Sequence, residues 1–370
     1  MEKDRKIKLG IVFGGKSGEH EVSLTSAASV ISALDPEEFE ITVIGITKTG
    51  ALASADELHS MLPSQLLPRV HISRSLEANN SGIRATSGLP EERMDYRRAP
   101  EIIFPLLHGP YGEDGTIQGL LEIAGLPYIG CGVLASAVGM DKDVMKRLFL
   151  QAQLPVVPFI TFSARDIATN LETLKKSVEL ELGYPMFSKP ANLGSSVGIC
   201  KIHSESEFDE AVRHSAKFDR KVIIEKAIDG RELECAILGN DDPKASVVGE
   251  VLSAHEFYDY EAKYVNPASK LEIPAKIDRV QAAEIQDLAL RSFKAIDGSG
   301  LARVDFFLEH RNGKVWVNEI NTMPGFTPIS MYTKLWEESG IPYAELVRHL
   351  VCLGKERFQQ KREQKISFKE

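Results

Sequence analysis

At 370 residues, with 43% hydrophobic and 26% charged side chains, the chain is long enough for two or three domains with cores of their own. A formal net charge of −9 argues against nucleic acid or an anionic membrane as a partner. No stretch reaches the roughly 20 apolar residues of a membrane span, and MEKDRKIKLGIVFGG carries no signal-peptide core. The four cysteines (Cys131, Cys200, Cys235, Cys352) form no CxxC pair, so neither a zinc site nor a disulfide framework is indicated. The expectation is a cytoplasmic protein.

IKLGIVFGG predicts a parallel strand closed by a glycine turn, VSLTSAASVISALD the helix after it, and EFEITVIGIT the next strand, an α/β opening. Residues 51–100 are polar and rich in turn formers, which predicts an insertion on the rim of this first unit. EIIFPLLHG resumes the sheet, and GTIQGLLEIAGLPYIG supplies a helix and a short strand. A second unit begins near Gly130, with a helix around MDKDVMKRLFLQAQ, strands around PFITF and PMFSKPA, a glycine–serine loop and the strand KVIIEKAI. A third begins near Gly230. It takes in RELECAILG and ASVVGEVLS, the polar stretch HEFYDYEAKYVNPASK, a helix from about Arg279 to Asp297, the strands LARVDFFLE and KVWVNEIN, and a last helix. The tail KERFQQKREQKISFKE is a charge run expected to be solvated and frayed. The units expected are therefore 1–130, 131–228 and 229–370.

RVDFFLEHRNGKVWVNEIN reads as a β-hairpin turning at Asn312-Gly313. A register centred on Asn312 sets Asp305 opposite Glu319 and Arg303 opposite Asn321, all on one face. That register requires an odd loop, with Gly313 left-handed; a two-residue Asn-Gly turn would put the two carboxylates on opposite faces. Two carboxylates about 4 Å apart repel by roughly 4 kcal/mol at an effective dielectric of 20, so a cation belongs between them. An all-oxygen set of this kind suits Mg²⁺ or Mn²⁺. Spacing alone leaves open an ordinary solvent-facing hairpin.

In SKPANLGSSVGI a strand ends at Lys189-Pro190 and a Gly/Ser loop follows, whose backbone N–H groups suit phosphates, with Lys189 as the point charge. Such loops also serve as plain linkers. Lys142 is a second phosphate partner unless it is simply a solvated helix lysine. In KVIIEKAIDGRELE the run Glu225-Lys226-Ala227-Ile228 suits a hinge against an adenine, with Glu232 placed for ribose hydroxyls, although spacing alone also fits surface charges. Gly10-IVFG-Gly15-Lys16-Ser17 matches G-x₄-GK[ST], but Ile11, Val12 and Phe13 continue a buried strand where a P-loop would wrap phosphate. The same glycine turn delivers Glu19 to the carboxyl end of a strand, where α/β sheets bind ligands, and HGPYGEDGTIQG does the same for His108.

Taken together, GGKSGEHEVS, HGPYGEDGTIQG, MDKDVMK, KPANLGSSVG, EFYDYEAKY, ARVDFF and NEINTMPGFT, from about Lys8 to Leu350, resemble the D-alanine–D-alanine ligases of the ATP-grasp superfamily in that family's order. The resemblance implies a mixed α/β and α+β fold of three domains, the first a Rossmann-like parallel sheet, and 51–100 looks like the longer form of the enzyme. It implies ATP-dependent joining of two D-alanines through an acyl phosphate, for peptidoglycan precursors, by a cytoplasmic homodimer paired through its first domain. Lys142, Lys189, Glu225, Lys226, Ala227, Ile228 and Glu232 would bind ATP, and Asp305, Glu319 and Asn321 two Mg²⁺ or Mn²⁺ ions. Glu19, Ser195 and Tyr264 match a hydrogen-bonded trio that positions the substrate amine and closes the loop carrying Tyr264. Arg303 and the Gly325 N–H would stabilise the tetrahedral oxyanion, Ser330 and Lys263 would meet the second carboxylate, and His108 would lie beside the first D-alanine. Tyr264, where the D-lactate-using relatives carry Phe, favours a dipeptide over an ester. Another carboxylate–amine ligase of the superfamily and a non-catalytic nucleotide binder are the remaining alternatives. One departure is Ser188, where the family has an apolar residue before the lysine.

Overall fold

The computed structural model describes residues 5–72, 99–252 and 270–364. Three sheets organise them. The first has strand order β3-β2-β1-β4, all parallel, from β1 (Ile7–Gly14), β2 (Phe39–Ile46), β3 (Val70–Ile72) and β4 (Ile102–Leu106). Buried on both faces, β4 and β1 from Leu9 onward read as near-continuous apolar runs. Leu9, Ile11 and Phe13 face α1 (His20–Ala33) and the C-terminal helix Tyr343–Glu363, whereas Val12 and Ile103 pack on Ile117 and Leu121 of the helix Thr116–Ile123. Lys16 lies over the Tyr111 ring, and residues 10–13 are in β1, which disposes of the P-loop reading.

The second sheet, β5-β8-β6-β7, is antiparallel: β5 (Phe159–Ser163), β6 (Met186–Pro190), β7 (Cys200–Ile202) and β8 (Lys221–Lys226). The helices Ala164–Leu182 and Glu205–Ser215 supply the rest of its core. The third, β11-β10-β9-β12-β13, joins β9 (Gly230–Gly239), β10 (Lys244–Leu252), β11 (Lys270–Glu272), β12 (Gly300–Glu309) and β13 (Val315–Asn321), again antiparallel. The helix Arg279–Ala295 packs beneath it, as do Met145 and Phe149 of the helix Lys142–Gln151. Residues 155–157 cover the outer edge of β13 by exchanging backbone hydrogen bonds with Val317, so that edge is not left open.

Two expectations change here. The rim insertion 51–100 begins with ordered structure: a helix Ala55–Met61, closed by a Ser54–Glu57 capping box, and the edge strand β3, with residues 73–98 outside the described part. The charged tail is helical as far as Glu363, because Arg357 stacks 4.1 Å over the Tyr128 ring and Lys361 reaches Glu122 at 2.7 Å.

Candidate active site

The parallel sheet presents Glu19 and His108 from adjacent strands, beyond their carboxyl ends. Gly14 turns the chain at φ 95°, and a Cβ there would sit 2.1 Å from the Ile46 carbonyl, so only glycine fits. Ser17 Oγ then donates to the His108 carbonyl at 2.5 Å, tying the two loops together. The His108 ring is buried, with Nδ1 3.2 Å from the Met323 carbonyl and Nε2 3.0 Å from Ser26 Oγ. A carbonyl only accepts, so Nδ1 carries a proton. Burial works against the imidazolium, but Glu113, whose carboxylate is 3.6 Å from Nδ1, and Glu19 outweigh it and hold His108 above its usual range. Burial likewise raises the Glu113 carboxyl.

The hairpin of β12 and β13 brings together the polar face. Asp305 pairs with Glu319 and Arg303 with Asn321, as the sequence predicts. The means differ from the expected odd loop. Glu309 N–H donates to the Lys314 carbonyl, leaving residues 310–313 as an even loop, and Gly313 is left-handed at φ 70°. The register shift comes instead from a bulge: Asp305 faces Glu319 but Phe306 faces Val317, so Asn318 is the extra residue. Arg303 grips Asp305 with two bonds of 2.7 Å and reaches Glu234 on β9 at 2.8 Å, and Asn321 Nδ2 donates to Asp305 at 3.0 Å. Burial works to lower the Arg303 guanidinium, yet Asp305, Glu234 and Glu319 keep it well above its ordinary value, hence permanently charged.

Between the antiparallel sheets lies a second constellation. Lys142 donates to the Leu193 carbonyl at 2.8 Å and stands 3.3 Å from Glu319, linking the Gly/Ser loop to the hairpin. Lys189 holds Glu225 Oε2 at 2.6 Å, while Lys146, fully buried, holds Oε1 at 3.0 Å. Burial would raise the Glu225 carboxyl, but the two ammonium groups bring it down to about 2. Burial, aided by the neighbouring Lys189 charge, pulls Lys146 below its usual value despite Glu225. Ser195 and Ser196 in the loop adopt left-handed φ of 50° and 60°, and Ser195 Oγ donates to Glu19.

A cavity of about 500 Å³ opens at the junction, lined among others by Glu19, His108, Lys142, Ser195, Arg303, Glu319, Asn321, Gly325 and Ser330. Ser330 Oγ bonds Thr327 N and Oγ1 at 3.1 and 2.8 Å, fixing the turn after Gly325. Asp305 sits behind the wall, held by Arg303 and Asn321. Lys189, Glu225, Lys226, Ala227, Ile228 and Glu232 lie outside the cavity lining, on β6, at the end of β8 and at the start of β9. Lys263 and Tyr264 fall outside the described residues. Sequence reasoning missed Glu113, Lys146 and Glu234. Two left a signal: Lys146 is four residues after Lys142 on one helix, and Glu234 two after Glu232 on one strand.

Two family models match the chain, one described as D-ala D-ala ligase N-terminus over residues 8–131 and one as D-ala D-ala ligase C-terminus over residues 148–352. The chain belongs to the D-alanine–D-alanine ligase family. Within that family it is 49% identical over 361 residues to the D-alanine–D-alanine ligase of Heliobacterium modesticaldum, covering 96% of both chains. It is 45% identical over 370 residues to that of Acetivibrio thermocellus, covering 95% of this chain and 97% of the other. The fold matches the D-alanine–D-alanine ligase structure from Coxiella burnetii with a TM-score of 0.78 at 33% identity, over 97% of this chain and 96% of that one. It matches a D-Ala:D-Ser ligase from Enterococcus faecalis with a TM-score of 0.77 at 32% identity, over 95% and 100%. A D-alanine–D-alanine ligase needs a carboxylate activated beside a second amino acid's amine, and one cavity here carries both a basic wall and the Glu19–His108 pair.

Proposed function

We propose that the chain joins two D-alanines into D-alanyl-D-alanine at the expense of ATP, for peptidoglycan precursors, in the cytoplasm. A carboxylate is a poor electrophile, so one of its oxygens first attacks the γ-phosphorus; the bond to the bridging oxygen breaks and ADP leaves. The amine of the second D-alanine, losing a proton, adds to the acyl carbon. Collapse breaks the C–O bond to phosphate and leaves the amide. Arg303 and the Gly325 N–H stabilise the oxyanion, His108 lies beside the first D-alanine, and Glu19 with Ser195 orients the incoming amine. Ser330 and Lys263 meet the second carboxylate, and Tyr264 completes the trio that closes the site against water. Lys142 and Lys189 neutralise phosphate, Glu232 takes the ribose, and Glu225 anchors Lys189. Lys226 and Ala227 already donate their N–H groups to Pro158 and Pro185, so the adenine contacts fall to the Lys226 carbonyl and Ile228 N–H.

The hard oxygens of Asp305, Glu319 and Asn321 fit Mg²⁺ or Mn²⁺. Among the described residues no three His, Cys, Asp or Glu side chains form a ready-made cage. Two carboxylates and an amide leave positions for phosphate oxygens, as Mg²⁺–nucleotide sites do. When bound, such ions supply charge neutralisation of the transferring phosphoryl group. Glu319→Gln keeps the shape and removes one charge. The expected result is a rise of at least about tenfold in the Mg²⁺ concentration for half-maximal activity; an unchanged requirement places the metal elsewhere.

One observation carries the functional reading furthest: Arg303, Glu319 and Lys142 line the same cavity as Glu19, Ser195 and His108. Phosphate release with ATP and Mg²⁺ that depends on D-alanine, with the dipeptide identified by mass, tests it. D-Serine and D-lactate offered as second substrates separate amide from ester formation, and ester made in preference to dipeptide at neutral pH contradicts the reading.

We further infer three units at 1–130, 131–228 and 229–370, and a homodimer paired through the first. In support, the helix Thr116–Ile123 of the first unit exposes Leu120 (61%) and Ile123 (89%). No helix of the described residues is long and apolar enough to cross a membrane. Leu120→Lys with Ile123→Lys is expected to halve the sedimenting mass; an unaltered mass removes this face from the interface.

A further inference from the structure

Ser188 sits on the wrong side of its strand for a polar residue. On β6, Lys189 turns to Glu225, while Met186, Ser188 and Pro190 share the opposite face. Met186 packs there against Phe208 and Val212 of the helix Glu205–Ser215. Ser188 has no exposed surface, nor does Ser215, the last residue of that helix. A buried hydroxyl is tolerated only when bonded, and here the bonds run in series. Ser188 Oγ donates to Ser215 Oγ at 2.8 Å, and Ser215 Oγ donates to the Gly198 carbonyl at 2.8 Å.

Gly198 closes the Gly/Ser loop. It is left-handed at φ 73°, and a Cβ would lie 2.7 Å from the Phe218 ring and 2.8 Å from Pro190 Cγ. The loop before it carries Ser195 and Ser196 in the left-handed region, which persists only where surrounding contacts over-determine the backbone. Those contacts are visible at the other end. Asn192 donates twice to Asp219 at 2.8 Å, Lys142 donates to the Leu193 carbonyl, and Ser195 donates to Glu19. Lys142 and Glu19 belong to the reacting site itself, so ligands disturb them. Ser215 is different: it holds the Gly198 end from outside the cavity.

We propose that Ser215 is a positioning residue for the nucleotide phosphates, with Ser188 as its support from β6, the pair fixing the Gly198 carbonyl so that the loop N–H groups stay aimed at phosphate. This rests on the nucleotide reading of the loop. Ser188 orients the Ser215 hydroxyl by donating to it, which leaves Ser215's own hydrogen for Gly198. A merely structural pair would stabilise the sheet–helix contact and leave nucleotide affinity alone.

The test is titration calorimetry of the full chain with MgATP and no D-alanine, paired with thermal unfolding. Ser215→Ala is expected to weaken ATP about three- to tenfold, the factor carried by one hydrogen bond worth about 0.7–1.4 kcal/mol. It also lowers Tm, because Ser188 loses its acceptor. Adding Ser188→Ala removes that stranded hydroxyl and recovers part of the lost Tm, since deleting both partners of a bond is far milder than deleting one, while the Gly198 carbonyl still lacks its donor. ATP affinity stays weak in the double variant. Ser188→Ala alone weakens ATP less than Ser215→Ala. Affinity within about twofold of wild type in both Ser215 variants, whatever Tm does, overturns the proposal. A wild-type chain that fails to bind MgATP overturns the nucleotide reading and this inference with it.

Discussion

Arg303→Lys is expected to lower kcat by about a hundredfold or more, the scale on which removal of one preorganised oxyanion partner acts. The substitution keeps a positive charge between Asp305 and Glu234, so it isolates geometry. Arg303 makes two parallel bonds to Asp305 and a third contact to Glu234 while facing the cavity. A lysine ammonium, a point charge on a flexible stem, cannot keep that fork and also meet a developing oxyanion. ATP affinity should change little, and Tm should fall less than in Arg303→Met, which strands two largely buried carboxylates. Steady-state kinetics, calorimetry and thermal unfolding on one preparation separate these effects. A kcat within about threefold of wild type removes Arg303 from the reacting centre.

Glu225→Gln is expected to cost about 3–5 kcal/mol of stability, because it leaves the Lys146 and Lys189 ammonium groups buried against a neutral amide. The wild-type pH dependence has the corresponding sign. The Glu225 carboxyl lies at about 2 in the folded chain against 4.5 ordinarily, so its contribution, about 3 kcal/mol, is complete above 4.5 and lost as pH falls towards 2. The variant lacks that limb, so its stability falls less steeply across the interval. Above neutrality the order reverses. Lys146 is already below its usual value, chiefly through burial, and without Glu225 it drops further. The unfolded chain then binds more protons, so the variant gains stability from pH 7 towards 10. Urea unfolding across both ranges measures this; parallel curves for the two proteins mean that Glu225 is not the hub of the pair of lysines.

Much of the site was legible in the sequence wherever strand alternation carries the information. Residues two apart share a face, so Arg303, Asp305, Glu319 and Asn321 followed once a register was chosen. The register itself was right for a different reason, since a bulge at Asn318 supplies the offset that the turn does not. Bulges leave no residue signature comparable to Asn-Gly, so the hairpin loop took the credit. The edge strand Val70–Ile72 hid in a polar stretch because only three residues pair, and an edge strand need not be apolar. The helical tail hid because its stabilising partners, Tyr128 and Glu122, come from more than 200 residues earlier. Glu113 was invisible for a related reason: it earns its place by burial against His108, and composition does not report burial, whereas Lys146 showed only in its four-residue spacing from Lys142. Ser188 shows the converse. An anomalous residue was visible at once, while its partner Ser215 required the fold.

The most direct test of the account follows an oxygen atom. D-alanine labelled with ¹⁸O in its carboxylate is turned over with ATP and Mg²⁺, and the released phosphate is weighed by mass spectrometry. Attack by that carboxylate on the γ-phosphorus, followed by C–O cleavage when the amine arrives, transfers one labelled oxygen to each phosphate. Phosphate bearing one ¹⁸O for every dipeptide formed is the result expected. Unlabelled phosphate, with or without dipeptide, contradicts acyl-phosphate chemistry in this site.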